Sequence, residues 1–306
     1  MYPKLALIAL CSFAICALCL GGAFALGGNA VGDAVFNFDG FGLPRCDITG
    51  NESGPGTRSL PWNGNGDSVS IALPANTHYQ AGSGDRMVVT GDPAIISHIR
   101  VRDGVVDMDC RDGFRHFGRV EVTLPGRRTF RNFRMLGSGN MQLSGLSQPE
   151  AKLSLEGSGN IESQGKVDGL RLEVDGSGTI ESQGQTDNLH VGVNGSGKLR
   201  LAGLAVKNAD VDISGSGKVD IAPQDSLNVD ISGSGTIYLR SEPKSIKVDI
   251  SGSGRIVHPD GAVEDRHERH ARAEGGEIGR LAEEAANGRV PDPGAPRVAM
   301  IIASRT

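Results

Sequence analysis

With 306 residues, 31 basic and 36 acidic, the chain carries a formal net charge of −5. A nucleic-acid partner is not expected, because that class shows a clear basic excess. Glycine is abundant at 45 residues while aromatics supply only 4%, a composition that favours many tight turns over a core of bulky rings, and the length buries a core without help from metals or disulfides.

The chain opens Met1-Tyr2-Pro3-Lys4, continues as an apolar run over residues 5–25, and then reads Gly27-Gly28-Asn29. Residues 1–25 read as a secretory signal, with Ala23-Phe24-Ala25 as the small-residue site and cleavage expected before Leu26. The run is also long enough to span a bilayer, so an uncleaved membrane anchor is the competing reading, disfavoured by Gly21 and Gly22 ahead of that site. None of Cys11, Cys16 or Cys19 follows the small residue that a bacterial lipoprotein signal requires, so lipidation is not expected. Export leaves Cys46 and Cys110 in a compartment that permits disulfides. They are a candidate pair, with two independent thiols as the alternative, because sequence does not supply their separation.

Residues 26–66 are crowded with Gly, Pro, Asn and Ser and show little periodicity. Residues 67–134 alternate in short bursts, around Val69 to Leu73, Arg86 to Val89, Ile99 to Val101, Val105 to Met108 and Val120 to Leu124. Pro74, Gly91-Asp92-Pro93, Asp103-Gly104 and Asp112-Gly113 separate them, so the segment reads as strands and turns of a small β-rich subdomain.

Residues 135–258 are an array. Gly-Ser-Gly recurs as the pairs Gly137/Gly139, Gly157/Gly159, Gly176/Gly178, Gly195/Gly197, Gly215/Gly217, Gly233/Gly235 and Gly252/Gly254, at spacings of 20, 19, 19, 20, 18 and 19 residues. Each unit runs an alternating strand into the Gly-Ser-Gly corner, leaves it by a second short strand, and closes with a polar turn. A period near 19 with one apolar face per unit predicts a parallel β-solenoid, because a unit buries that face only against its neighbours. Two columns should fill the interior: Leu155, Val174, Val193, Ile213, Ile231 and Ile250 before the corner, and Met141, Ile161, Ile180, Leu199, Val219, Ile237 and Ile256 after it. At strand spacing, seven coils make a rod of about 30 Å. The glycines are the structural corners, both positions fitting positive φ or close backbone approach, and the intervening Ser138, Ser158, Ser177, Ser196, Ser216, Ser234 and Ser253 are expected to stack as a hydroxyl ladder.

Outward positions supply the candidate binding face. Glu173, Gly192, Asp212, Asp230 and Asp249 form one column, whose last three members repeat in Val-Asp-Ile-Ser-Gly-Ser-Gly. A cation or basic-ligand strip is one reading; a solvated face partly paired with Lys218, Lys247 and Arg255 is the one favoured. Nine arginines between Arg100 and Arg134, interleaved with Phe114, Phe117, Phe130 and Phe133, could meet an anionic surface, against the preferred reading that they pair with Asp103, Asp107, Asp109 and Asp112. Residues 259–306 leave the repeat pattern and form a charged tail, helical or disordered, which could cap the solenoid's open edge. Within it, His267 and His270 sit one helical turn apart without a third ligand nearby, a weak metal signal best read as a polar helix face.

No phosphate-cradling glycine loop, calcium nonapeptide pattern, nucleophile elbow or fixed serine–base offset is present, so no cofactor, metal or catalytic residue is assigned. The array, with Val120-Glu121-Val122-Thr123-Leu124-Pro125 leading into Met135-Leu136-Gly137-Ser138-Gly139-Asn140, resembles the bacterial family of putative auto-transporter adhesin head GIN domains over residues 67–258. That resemblance implies a right-handed parallel β-helix of pectin-lyase-like shape without the lyase's catalytic residues. The expected function is an exported, non-enzymatic, adhesin-like module of the periplasm or cell surface, binding a glycan or envelope protein. A polysaccharide-active enzyme on the same β-helix is the alternative, and it would need acidic or basic groups converging in a cleft.

Overall fold

A computed structural model of the chain describes residues 54–64, 66–110 and 118–265. The expected signal at 1–25, Cys46, the Arg111 to Phe117 stretch and the His267/His270 pair lie outside the described residues. Asp109 and Cys110 group with a separate unit whose other members also lie outside them, and Cys110 is disulfide-bonded. Every other described residue belongs to one unit, an all-β solenoid whose strands join in a single sheet.

The strands before the array are short: β1 (Gly56–Leu60), β2 (Ser68–Ile71), β3 (Asn76–Gln80), β4 (Met87–Gly91), β5 (Ile99–Arg102), β6 (Val105–Met108), β7 (Glu121–Thr123) and β8 (Asn132–Gly137). One four-residue helix, α1 (Pro93–Ile96), stands between β4 and β5. The array then supplies β9 (Asn140–Gly157), β10 (Asn160–Gly176), β11 (Thr179–Gly195), β12 (Lys198–Gly215) and β13 (Lys218–Gly233). It ends in β14 (Thr236–Leu239), β15 (Ser245–Gly252), β16 (Arg255–Val257) and β17 (Val263–Asp265).

Each of the five long strands makes one coil, broken only at Gly-Ser-Gly, and pairs in parallel with the strands before and after it. The expected polar turn between corners is therefore strand: Gln164 and Gly165 ladder onto Gln183 and Gly184. Changes of repeat length are absorbed there. The register shifts between Gln164 and Gly165 against β9, where Gly145 adopts φ +72°, and between Glu181 and Gly184 against β12. An added residue that loops out locally leaves the corners and the inward columns in phase.

Both predicted inward columns form, and every member is at most 5% exposed. A further inward column, Phe133, Leu153, Leu172, Val191, Val211, Val229 and Val248, lies two residues earlier on the same face. Burial of such side chains contributes about 1.5–3 kcal/mol each relative to exposure, and the ladder satisfies the backbone at the same time. Some inward positions are polar: Ser163 and Ser182 are buried in register and share a hydrogen bond of 2.8 Å between their hydroxyls. Each hydroxyl thereby avoids the penalty of an unpaired buried polar group.

The β-rich segment joins the same ladder. Strand β2 pairs in parallel with β8, and β3 pairs in parallel with β9, so that Asn76 lies beside Asn140. The backbone at Ala75 takes the place of a preceding Gly-Ser-Gly corner, accepting from Asn140 N at 3.0 Å. The Asp103-Gly104 signal turns β5 into β6 with φ of +50° and +80°, a left-handed pair matching the twist of a two-residue hairpin. Gly91-Asp92-Pro93 differs from its expected turn. Asp92 caps α1 by accepting from Ala94 N at 2.9 Å, with Pro93 in the first turn, where its missing N–H costs nothing. At the other end β17 pairs antiparallel with β16 and covers that part of the final edge, so residues 263–265 of the tail are strand. Among the described residues no helix is long and apolar enough to cross a membrane.

Candidate functional site

The two glycines of each corner have different roles, the first taking the positive φ and the second the close approach. Only the first takes positive φ: Gly137, Gly157, Gly176, Gly195, Gly215, Gly233 and Gly252 all do, with Gly215 at +121°, where an added Cβ would also meet Gly195 O at 2.5 Å. The second glycines, Gly139, Gly159, Gly178, Gly197, Gly217, Gly235 and Gly254, have no positive φ and are buried. They are packing positions rather than exposed turn positions, so none of them belongs to a binding surface. What excludes a side chain there is the coil before. An added Cβ would lie 2.5 Å from Ala75 O at Gly139 and 2.5 Å from Gly139 O at Gly159, and it would overlap Leu155 Cδ2 at Gly178. It would lie 2.5 Å from Val174 Cγ1 at Gly197, 2.6 Å from Val193 Cγ1 at Gly217, 2.6 Å from Ile213 Cγ2 at Gly235 and 2.5 Å from Ile231 Cγ2 at Gly254. The inward column before each corner thus fills the space under the second glycine of the next.

The serine between them is exposed in all seven corners. Its backbone N–H donates to the first glycine's carbonyl one coil earlier, as Ser216 does to Gly195 at 2.8 Å. Among the described residues no hydrogen bond joins two of these hydroxyls, so the expected hydroxyl ladder is a backbone ladder. The corner points the serine out of the sheet, toward solvent.

The aspartate column forms as expected. Ser154, Glu173, Gly192, Asp212, Asp230 and Asp249 are consecutive partners in register. Its pairing differs from expectation, because Lys218, Lys247 and Arg255 make no ion pair with it among the described residues. Side chains from the column two residues earlier do this instead: Lys152, Arg171, His190, Asp210, Asn228 and Lys247 share its outward face, and the first three of them reach its carboxylates. Partial burial works against ionisation of Glu173, but Lys152 at 2.6 Å and Arg171 at 2.7 Å outweigh it and hold the carboxyl below its ordinary value. At Asp212 the balance reverses. Partial burial, then the carboxylates of Asp210 and Asp230, push it above the usual range against the opposing pull of His190.

Beside these columns runs a trough of about 710 Å³, reaching from Asp67 and Arg131 past β9, β10, β11 and β12 to Ser226 and Asn228. Its floor is Ala151, Leu170, Leu189 and Ala209, and its walls are stacked polar side chains. Asn208 donates to Asn188 at 3.3 Å, Ser226 to Asn208 at 2.8 Å, and Asn228 to Asp210 at 2.8 Å. Among the described residues no aromatic ring lines it apart from the imidazole of His190.

At least four of the nine arginines have partners within the domain, one of these an expected aspartate. Arg102 pairs with Asp107 at 2.6 Å, but Arg131 meets Asp67 at 3.7 Å, Arg134 meets Glu156 at 2.6 Å, and Arg128 donates to Gly64 O at 2.8 Å. Phe130 and Phe133 are buried and pack edge to face, with Tyr79 and Trp62 around them, so these two rings belong to the core.

The model of the family described as "Putative auto-transporter adhesin, head GIN domain" matches residues 67–243. The chain belongs to this family. Solved structures share the fold. A putative adhesin from Bacteroides fragilis is 18% identical with TM-score 0.61, covering 68% of this chain and 98% of its own. A putative lipid binding protein from Parabacteroides distasonis is 21% identical with TM-score 0.53, covering 68% and 97%. A putative adhesin from Parabacteroides merdae is 18% identical with TM-score 0.54, again covering 68% and 97%. None of the curated proteins matches. This head GIN domain is thus an adhesin-like β-solenoid.

Sequence reasoning placed Asp212, Asp230 and Asp249 correctly on one strip but missed the trough beside them. The positions five residues before the seven corners read Asn, Lys, Arg, His, Asp, Asn and Lys, with no single shared identity to draw the eye. Aligning the units by corner would have exposed that column. The concavity would have stayed hidden, because it depends on the path of successive coils past Gly169 and Asn188.

Proposed function

We propose that the domain is a non-enzymatic binding module, exported to the cell surface, that takes a hydroxyl-rich chain such as a bacterial polysaccharide along the trough. The carrying observation is the trough itself: one open channel spanning several coils, walled by amides, carboxylates and guanidinium groups at repeating spacing. Amide and charged side chains of this kind donate and accept paired hydrogen bonds that suit vicinal hydroxyls. A repeating ligand meets a repeating wall, so weak contacts add along the rod. Because none of the described residues puts a Trp, Tyr or Phe ring against a sugar face in the trough, affinity at any one position is low and depends on length. An envelope protein is the competing partner, and absence of binding to every polysaccharide of the panel below would favour it.

The test is binding and turnover on a panel of bacterial surface polysaccharides, with Arg171→Ala/Asn208→Ala in the trough and Arg240→Ala outside it as control. Binding that rises with oligosaccharide length, weakens in the trough variant and yields no product supports the reading. Multi-turnover cleavage would establish the enzyme alternative, and binding untouched by the trough variant would place the site elsewhere.

A further inference from the structure

At the edge of the trough, where His190 and Asp210 line it and Asp212 stands beside them, is a feature that hydroxyl recognition does not require. His190, Asp210 and Asp212 each offer a ligand atom, and these atoms all lie within 4.8 Å of one another. The register creates the cluster, since Asp210 stacks directly on His190 and Asp212 follows two residues later on the same outward side. His190 Nδ1 lies 3.3 Å from Asp210 Oδ2, and its Nε2 lies 3.9 Å from Asp212 Oδ2. Ligand atoms around a tetrahedral ion with bonds of about 2.0–2.1 Å are about 3.4 Å apart, and an ion takes one imidazole nitrogen, so closing the set requires a side-chain rotation that brings both carboxylates to the same nitrogen of His190.

Two further observations separate this cluster from an ordinary solvated acidic strip. Asp210 Oδ1 accepts from the Asn228 amide at 2.8 Å, which fixes the carboxylate plane and leaves Oδ2 facing the imidazole. Outer hydrogen bonds of this kind orient ligating carboxylates. The local charge is also uncompensated. Among the described residues no lysine or arginine ion-pairs with Asp210, Asp212 or Asp230, and Arg171, stacked on the other side of His190, is engaged by Glu173 at 2.7 Å.

We propose that His190, Asp210 and Asp212 bind a divalent first-row transition ion such as zinc, with its remaining coordination positions open to the trough. One imidazole with two carboxylates suits such an ion, whereas calcium takes six to eight oxygens, which this set does not supply. An ion held there would add a Lewis-acidic contact for a ligand hydroxyl or carboxylate. Metal uptake itself is independent of whether the trough takes a glycan.

Cobalt(II) titration of the chelator-treated full chain, read by visible absorption and by competition with zinc, tests this without any organic ligand. One saturable equivalent is expected, with d–d bands that zinc abolishes. Loss of a ligand should weaken uptake by about 10-fold or more in His190→Gln and in Asp212→Asn, and leave it unchanged in Asp249→Asn, two coils beyond the cluster. Circular dichroism of the metal-free variants verifies folding, and Asp212→Asn alters an exposed side chain, so at least that variant should report cleanly. Absence of saturable uptake, or uptake retained in the His190→Gln/Asp212→Asn double variant, would overturn the assignment.

Discussion

At the residue scale, the Gly-Ser-Gly corner is three positions with three separate demands. Gly215 needs its positive φ, Gly217 needs the absence of a Cβ against Val193, and Ser216 faces solvent with only its backbone bonded. Gly217→Ala should therefore lower stability by about 1–3 kcal/mol, as overpacking of a tight core does, while Ser216→Ala should stay within about 0.5 kcal/mol. Urea denaturation distinguishes the two, and equal costs would show that the serine hydroxyl is structural after all. The same contrast holds across the sheet. Ile180 is fully buried and Glu181 lies on the outer face, paired at 3.7 Å with Arg200. Ile180→Ala should cost about 2–5 kcal/mol and Glu181→Ala about 0.5 kcal/mol or less, so equal shifts in unfolding midpoint would contradict the register.

At the element scale, the terminal strand β17 depends on an ion cluster. His258 is only 17% exposed, with Nδ1 2.9 Å from Glu242 Oε1 and Nε2 3.5 Å from Glu264 Oε2. Burial alone would lower its pKa, but the two carboxylates outweigh that and raise it. The sign follows directly. A raised folded-state pKa means that this contribution is fully present below the unfolded value of about 6.5 and is lost as pH rises through the folded value. Because Glu264 lies in β17 and Glu242 just after β14, the cap should loosen on the alkaline side. Hydrogen exchange at residues 263–265, corrected for intrinsic rate, should be slower at pH 6 than at pH 8, and His258→Gln should remove the difference. Unchanged protection across that range in the unaltered chain would show that strand pairing alone holds the cap.

At the scale of the whole molecule, each coil touches only its neighbours, so stability is approximately a sum of repeat and interface contributions. Removal of residues 170–188 joins Gly169 to Leu189, and because Gly169 already lies in register with Asn188, the remaining coils stay in phase. The deletion takes Ser182 away from Ser163, so it is made with Ser163→Ala to avoid an orphaned buried hydroxyl. The shortened chain should remain folded by circular dichroism, with a smaller urea m-value and with polysaccharide affinity reduced rather than abolished. Collapse of the fold would mean that the coils are not interchangeable, and complete loss of binding would mean that one coil carries the site.

The sequence by itself determined the solenoid, its coil length, its two inward columns and the family, because a parallel stack repeats one local rule and periodicity carries that rule in full. It also placed Asp212, Asp230 and Asp249 on one strip, since alternation decides which side of a strand faces out. Only the tertiary structure decided that the two glycines of a corner differ, since the second is forced by side chains of the preceding coil and not by its own φ. It alone decided too that Ala75 stands where a Gly-Ser-Gly corner would, that Ser163 and Ser182 satisfy each other inside, and that His190 meets Asp210 beside a trough. Those features depend on which residues of successive coils stack in register and on the path each coil takes. The first is altered by every register shift between corners, and the second is set by packing that no single unit contains.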